Sequence, residues 1–287
     1  MNQELVRLTS TDGIEMCGLL YTPEQTTQKI VIHIHGLNGN FYENTFLDYI
    51  SKTYTDKGYA FLTFNNRGKD YISELNKGME SVIIGGSMER FKDCILDIEG
   101  AISFVNSKGY NHIILEGHSY GCNKVLYYYN QKKDINIKNI VLLAPCDIPS
   151  ECTKFLSKEE YEKAKEDATR LVNEGKENEL INFSVMANGK ITAGTFYNDF
   201  LPGGENDFFR YREGKQANSG LLNKIDVPVL IVFGDKDECV LTEPIDTVIG
   251  YLKNNIKNCN IQIIKGANHS YYNKFNELSE VINNNLD

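Results

Sequence analysis

No stretch of this 287-residue chain approaches the ~20 consecutive apolar residues of a membrane-spanning helix. None is therefore expected, and no membrane partner. The opening "MNQELVRLTSTDGIEMCGLLYTP" has no apolar core of signal-peptide length. Paired cysteine motifs are also missing. The seven cysteines, Cys17, Cys94, Cys122, Cys146, Cys152, Cys239 and Cys259, include no CxxC. An odd count without such pairs argues against a disulfide framework or a zinc site and for free thiols in a reducing compartment. A cytoplasmic protein is expected. Positive charge is in deficit, with 30 Lys+Arg against 39 Asp+Glu and a net charge of -9. A nucleic-acid partner would need a basic patch, so none is expected. No internal repeat or low-complexity segment occurs.

What is present is ordinary globular usage, 41% apolar and 24% charged, which excludes general disorder. The length is near the upper end for one hydrophobic core, so one large domain or a domain with an insertion is expected. "ELVRLTS" (4–10) and "IEMCGLLYT" (14–22) around "TDG" signal a hairpin. "KIVIHIH" (29–35), "YAFLTF" (59–64), "HIILEG" (112–117), "IKNIVLLA" (137–144), "VPVLIVFG" (227–234) and the shorter "NIQIIKG" (260–266) are apolar, β-branched runs. Such runs suit strands covered on both faces, as in a parallel sheet. Helices are predicted over 44–57, 88–107, 120–131 and 272–284. In the second of these, Met88, Phe91, Ile95, Ile98, Ile102 and Val105 line one face. Strand–helix alternation predicts an α/β fold with a mainly parallel sheet.

Residues 146–222 break the rhythm. "SKEEYEKAKEDATRLVNEG" opens with a capping-box pattern, Ser157 to Glu160, and ends at Gly175. An aromatic, glycine-containing stretch follows. The expected organisation is a core of 1–145 and 223–287 with 146–222 inserted as a cap. Phe196, Phe200 and Phe208 in the cap are candidates for an apolar wall over a cleft. The alternative is a small core internal to the cap.

The chemistry centres on Gly117-His118-Ser119-Tyr120-Gly121, a G-x-S-x-G motif between a buried strand and a helix. A serine on such a strained turn projects its hydroxyl into a cleft, and the glycines let neighbouring backbone approach. The bland alternative is a helix-capping serine. A nucleophile needs a base and an orienting acid, and in this motif's setting they follow in the order Ser, Asp/Glu, His. His269 is the only histidine downstream of Ser119, in the loop after the last strand. Asp235, Asp237 and Glu238 share the loop after "VPVLIVFG", and Gly234-x-x-Asp237 favours Asp237. For the oxyanion, one donor is expected at the N–H of Tyr120 and a second in "HGLNGN" (35–40), at Leu37 or Asn38. His35 is read as a prop for that turn rather than as a metal ligand with His33. Asn38 is also a candidate substrate contact, as is Arg67 in "FNNRGKDY", whose alternative role is to anchor loops.

The motifs "HIHGLNGN", "FNNRG", "GHSYG", "GDKDE" and "GANHS", in this order over nearly the whole chain, resemble those of the α/β-hydrolase superfamily. The combination with "ERFKDCILDIEGAI" and "GHSYGCNKVLYYY" is similar to a branch of uncharacterised bacterial hydrolases related to siderophore ester hydrolases. The long cap resembles those of small-molecule carboxylesterases, including cinnamoyl ester hydrolases. The resemblance implies a Ser119–Asp237–His269 triad, an oxyanion hole at Leu37 and Tyr120, and esterase, thioesterase or amidase chemistry without cofactor or metal. The expected function is a serine hydrolase cleaving a small carboxylic ester through an acyl-enzyme. The alternatives are a thioesterase or acyltransferase with the same triad, or a ligand sensor on a hydrolase scaffold.

Overall fold

The structure, a computed structural model, describes residues 1–183 and 190–286. Residues 184–189 of the expected cap lie outside them. The hairpin forms from β1 (Asn2–Thr9) and β2 (Glu15–Thr22). Next come β3 (Lys29–Ile34), α1 (Phe46–Asp56), β4 (Ala60–Phe64), and a second hairpin of β5 (Ser73–Lys77) and β6 (Glu80–Ile84). The chain continues through α2 (Cys94–Ser107), β7 (His112–His118), α3 (Tyr120–Lys132) and β8 (Ile137–Leu143). The segment after β8 contains α4 (Ile148–Phe155), α5 (Lys158–Asn173), the two-residue strands β9 (Leu180–Ile181) and β10 (Ile191–Thr192), and α6 (Ala193–Asp199). The fold closes with β11 (Val229–Gly234), α7 (Ile245–Asn255), β12 (Cys259–Ile264) and α8 (Phe275–Asn285).

Eight strands make one sheet in the order β1-β2-β4-β3-β7-β8-β11-β12. From β4 to β12 every pairing is parallel, and β1 and β2 add an antiparallel edge. The apolar runs explain this. Ile30–Ile32, Phe61–Leu62, Ile113–Leu115, Leu142–Leu143 and Ile231–Phe233 are all buried, as strands covered on both faces must be. Parallel strands enter from one end and leave at the other, so the loops after β3, β7, β8, β11 and β12 gather at one edge of the sheet. Sites in such sheets form there.

Two local readings change. The helix predicted over 88–107 begins at Cys94, after a short 3₁₀ turn at Phe91–Asp93. Gly85 adopts φ 124°, and the chain after it turns Glu89 inward to meet Lys124. The Lys124 Nζ–Glu89 Oε2 distance is 2.8 Å with both side chains buried. Met88 therefore lies outside the helix. The β5–β6 hairpin was not anticipated, because half-exposed strands such as "SELNK" carry no buried run to betray them.

The interior also holds polar groups, many of them paired with one another. Glu116 on β7 faces His33 on β3 in register; its Oε1 lies 2.7 Å from His33 Nδ1 and its Oε2 accepts from Tyr54 Oη at 2.5 Å. The Lys124 ammonium also donates to Asn66 Oδ1. Removing one member of a buried pair leaves an uncompensated charge. Lys124→Ala is expected to destabilise the fold by about 3–5 kcal/mol, measured by urea denaturation. Lys124→Met with Glu89→Gln should recover most of that loss.

Candidate active site

Ser119 follows the last residue of β7 and precedes the first residue of α3. Its backbone sits at φ 56°, ψ -127°, a region non-glycine residues rarely occupy. Its neighbours hold it there. Ser119 N–H donates to Leu143 O on β8 at 2.8 Å. The Cys122 thiol behind it contacts the carbonyls of Gly117 and Leu143. The turn also sits hard against β3. A Cβ on Gly121 would overlap the Ile34 carbonyl oxygen, and one on Gly36 would lie 2.8 Å from Ser119 Cβ. Glycine is required at both places for close approach.

Leu37 and Asn38 lie on the turn leaving β3, which Gly39 N–H closes onto Gly36 O at 3.2 Å. His35 braces it. Its Nε2 accepts the Asn66 N–H at 3.1 Å, so its Nδ1 carries the proton and donates to Gly36 O at 2.9 Å. Burial, aided by the Lys124 charge, pushes the His35 pKa down to about 3, and the ring stays neutral. His35 and His33 thus have different hydrogen-bond partners. Asn38 adopts φ 54°, and its Oδ1 is buried without a hydrogen-bond partner among the described residues.

Of the three carboxylates in the loop after β11, Asp237 meets His269. Its Oδ1 lies 3.0 Å from His269 Nδ1 and accepts the N–H groups of Cys239 and Val240. Asp235 instead accepts the Gly266 N–H at 2.6 Å, so it tethers the turn before the histidine. Glu238 is exposed. Burial alone would lower the His269 pKa, but the hydrogen bond and charge of Asp237 outweigh it and raise the pKa above its ordinary 6.5.

Sequence reasoning missed two contacts. His118 donates from Nε2 to the His269 carbonyl at 3.0 Å, linking the residue before the serine to the loop after β12. The motif marks this position only as variable. The Cys146 thiol, in the loop after β8, lies 4.0 Å from Ser119 Oγ. A cysteine at the end of a buried strand gives no signal beyond packing.

Other expected contacts are corrected. Arg67 is no substrate ligand: it is 3% exposed, with Nε and Nη2 bonded to Asp97 and Nη2 also to Asp12. Asp93 lies 3.6 Å from Nη1. It anchors the β4 exit loop to α2. Phe196 and Phe200 pack with Phe183 and Tyr161 within the segment after β8; the Phe183–Phe196 centroids are 4.5 Å apart. Phe208 is fully buried, and its carbonyl accepts from Tyr251 Oη. The packing of Phe196 and Phe200 matches the alternative of a small core internal to that segment. A cleft of about 550 Å³ between residues 88–92 and the cap is lined by Phe91, Tyr197 and Leu201 among others, but not by Ser119, Asp237 or His269. The Tyr120 ring is buried against Phe91, and its hydroxyl accepts from Asn206 Nδ2 in the cap at 3.3 Å.

The doubly covered parallel sheet, the left-handed serine at the β7–α3 turn and the ordered Asp and His loops define an α/β-hydrolase-fold protein. Solved structures share the architecture. Est1E from Butyrivibrio proteoclasticus is similar at 20% identity and TM-score 0.62, covering 98% of this chain and 96% of its own. The α/β hydrolase GrgF from Penicillium sp. sh18 matches at 16% identity and TM-score 0.67, covering 99% and 96%. An α/β serine hydrolase homologue from Coxiella burnetii matches at 15% and 0.58, covering 100% and 99%. Within that superfamily, residues 19–285 match the family described as protein of unknown function (DUF1749), and the chain belongs to it. No curated protein matches.

The contact between β3 and the serine turn yields a test. Gly36→Ala forces the added methyl against Ser119 and is expected to cost about 1–3 kcal/mol of stability, read as a lower urea midpoint.

Proposed function

We propose that this protein is a serine hydrolase acting on a small carboxylic ester through an acyl-enzyme. The observation that carries the reading is the His269 Nδ1–Asp237 Oδ1 bond of 3.0 Å at the same sheet edge as a serine held at φ 56°. In this reading His269 Nε2 removes the Ser119 proton as Oγ attacks the ester carbonyl. Asp237 fixes the ring with Nδ1 protonated and stabilises the imidazolium. The N–H groups of Tyr120 and Leu37 receive the developing oxyanion. Protonated His269 then gives its proton to the leaving alcohol, and water, activated by the same histidine, releases the acid from Ser119.

The likeness to Est1E, of which a structure with ferulic acid bound is known, supports starting the substrate search with aryl esters. Its 20% identity carries no more than that. The free cysteines among the described residues fit a protein of a reducing compartment, and none of the described helices is long and apolar enough to cross a membrane.

A fluorophosphonate probe should label the wild type at Ser119 and leave Ser119→Ala untouched. An unlabelled wild type would sink the proposal. Asp237→Asn should lower kcat on a p-nitrophenyl ester by about 10⁴-fold, as loss of the orienting acid does in other triads, whereas Asp235→Asn should cost far less. A pH profile gives a separate check. Only neutral His269 can accept the proton, and Asp237 favours the charged ring, so kcat/KM should rise with pH through a pKa above 6.5. Asp237→Asn removes that bias, leaves burial dominant, and should move the limb to lower pH.

A further inference from the structure

The loop that presents Asp237 also presents a thiol. Ligand atoms of Asp237, Cys239 and His269 all lie within 4.8 Å of one another, and the three residues are enclosed rather than spread over the surface. Cys239 is 5% exposed. Its thiol lies near that of Cys146 and the Glu151 carboxylate. Asp237 makes its bonds to His269, Cys239 and Val240 through Oδ1, while Oδ2 is buried with no hydrogen-bond partner among the described residues. A buried carboxylate oxygen without a partner, on a residue grouped with an imidazole and a thiol, leaves a ligand position that a bound cation would complete. The triad chemistry has no use for Cys239, so its place in this cluster calls for a separate account.

The donor set selects the ion. Thiolate and imidazole favour zinc over magnesium or calcium, which prefer oxygen ligands. Zinc holds sulfur at about 2.3 Å and nitrogen or oxygen at about 2.0–2.2 Å, most often in a tetrahedron. Ligand atoms already within 4.8 Å need only a small contraction to reach it. We propose that Asp237, Cys239 and His269 form a binding site for a divalent ion of the zinc class, with water or a neighbouring thiol in the fourth position, and that its occupation switches the serine off.

On binding, the Cys239 S–H bond breaks, a Zn–S bond forms, and the proton goes to solvent. The imidazole gives one nitrogen lone pair to the ion. If that nitrogen is Nδ1, the ring proton moves to Nε2, which then has no lone pair for the serine proton. If it is Nε2, the base itself is occupied. Either route disables general-base catalysis, so the inhibitory half of the proposal rests on the hydrolase reading. Binding itself does not.

The two are separated by working in Ser119→Ala, which keeps all three ligands. Cobalt(II) titrated into that protein should give tetrahedral d–d bands and a thiolate charge-transfer band, saturating at one equivalent and displaced by zinc. Cys239→Ser in the same background should abolish the charge-transfer band and weaken zinc binding by about 100-fold, whereas magnesium should give no displacement. A second readout needs no change at the site: zinc should slow alkylation of Cys239 by iodoacetamide at least about tenfold, read by peptide mass spectrometry. In the wild type, zinc should slow fluorophosphonate labelling by a similar factor, with full recovery on adding EDTA. No charge-transfer band in Ser119→Ala, or unchanged Cys239 alkylation with zinc, overturns the site. Zinc that binds but leaves probe labelling unaltered overturns the switch. A metal-free wild type that never takes the probe counts against the hydrolase reading and leaves the binding result standing.

Discussion

A serine in the left-handed region of backbone space is the constraint on which the rest of the site depends. The conformation costs on the order of 1–3 kcal/mol and persists only where its surroundings leave no alternative. Here they leave none. Strand β7 is fixed on one side by β3 and on the other by β8, and Ser119 N–H is bound to Leu143 O. Helix α3 packs so closely on β3 that Gly121 has no room for a side chain. The strain therefore rests on the central strands, the best-buried part of the molecule. A surface loop could not supply that support.

Around this turn the protein uses buried polar groups as spacers. Neutral His35 joins the β3 exit turn to the β4 exit loop through Gly36 and Asn66. Asn66 in turn meets Lys124 of α3, which holds Glu89. One hydrogen-bonded chain thus runs from the candidate oxyanion turn to the helix behind the serine and on to Thr195 in the segment after β8, whose hydroxyl donates to Glu89 O. Apolar packing would have filled the same volume, but directional bonds also fix the angles between loops.

Much of this was legible in the sequence, and for identifiable reasons. Parallel strands buried on both faces produce short, β-branched apolar runs such as "KIVIHI" and "VLIVFG", and their length and composition set them apart from buried helices. The capping box at Ser157 and Glu160 forms as its spacing foretold. The Gly234-x-x-Asp237 spacing singled out the carboxylate that meets His269. For Arg67, Phe196 and Phe200 the sequence leaves two roles open, substrate contact or structural packing, and the choice depends on which of several partners lies nearest. Three aspartates surround Arg67, and only tertiary placement reveals them. His118 and Cys146 were passed over because their partners lie 151 and 27 positions away, beyond any local pattern.

The order of the strands bears on how the molecule comes to life. The serine stands on β7, at the middle of the sheet, while the loop carrying His269 follows β12, at its edge and near the end of the chain. Edge strands separate from a sheet at lower free energy than central ones. A molecule in which β12 and α8 have come away would keep its central strands and its strained turn, yet would lose the placement of His269 beside Asp237. Local opening at this edge would therefore part His269 from the serine turn while the strands that hold Ser119 stay paired.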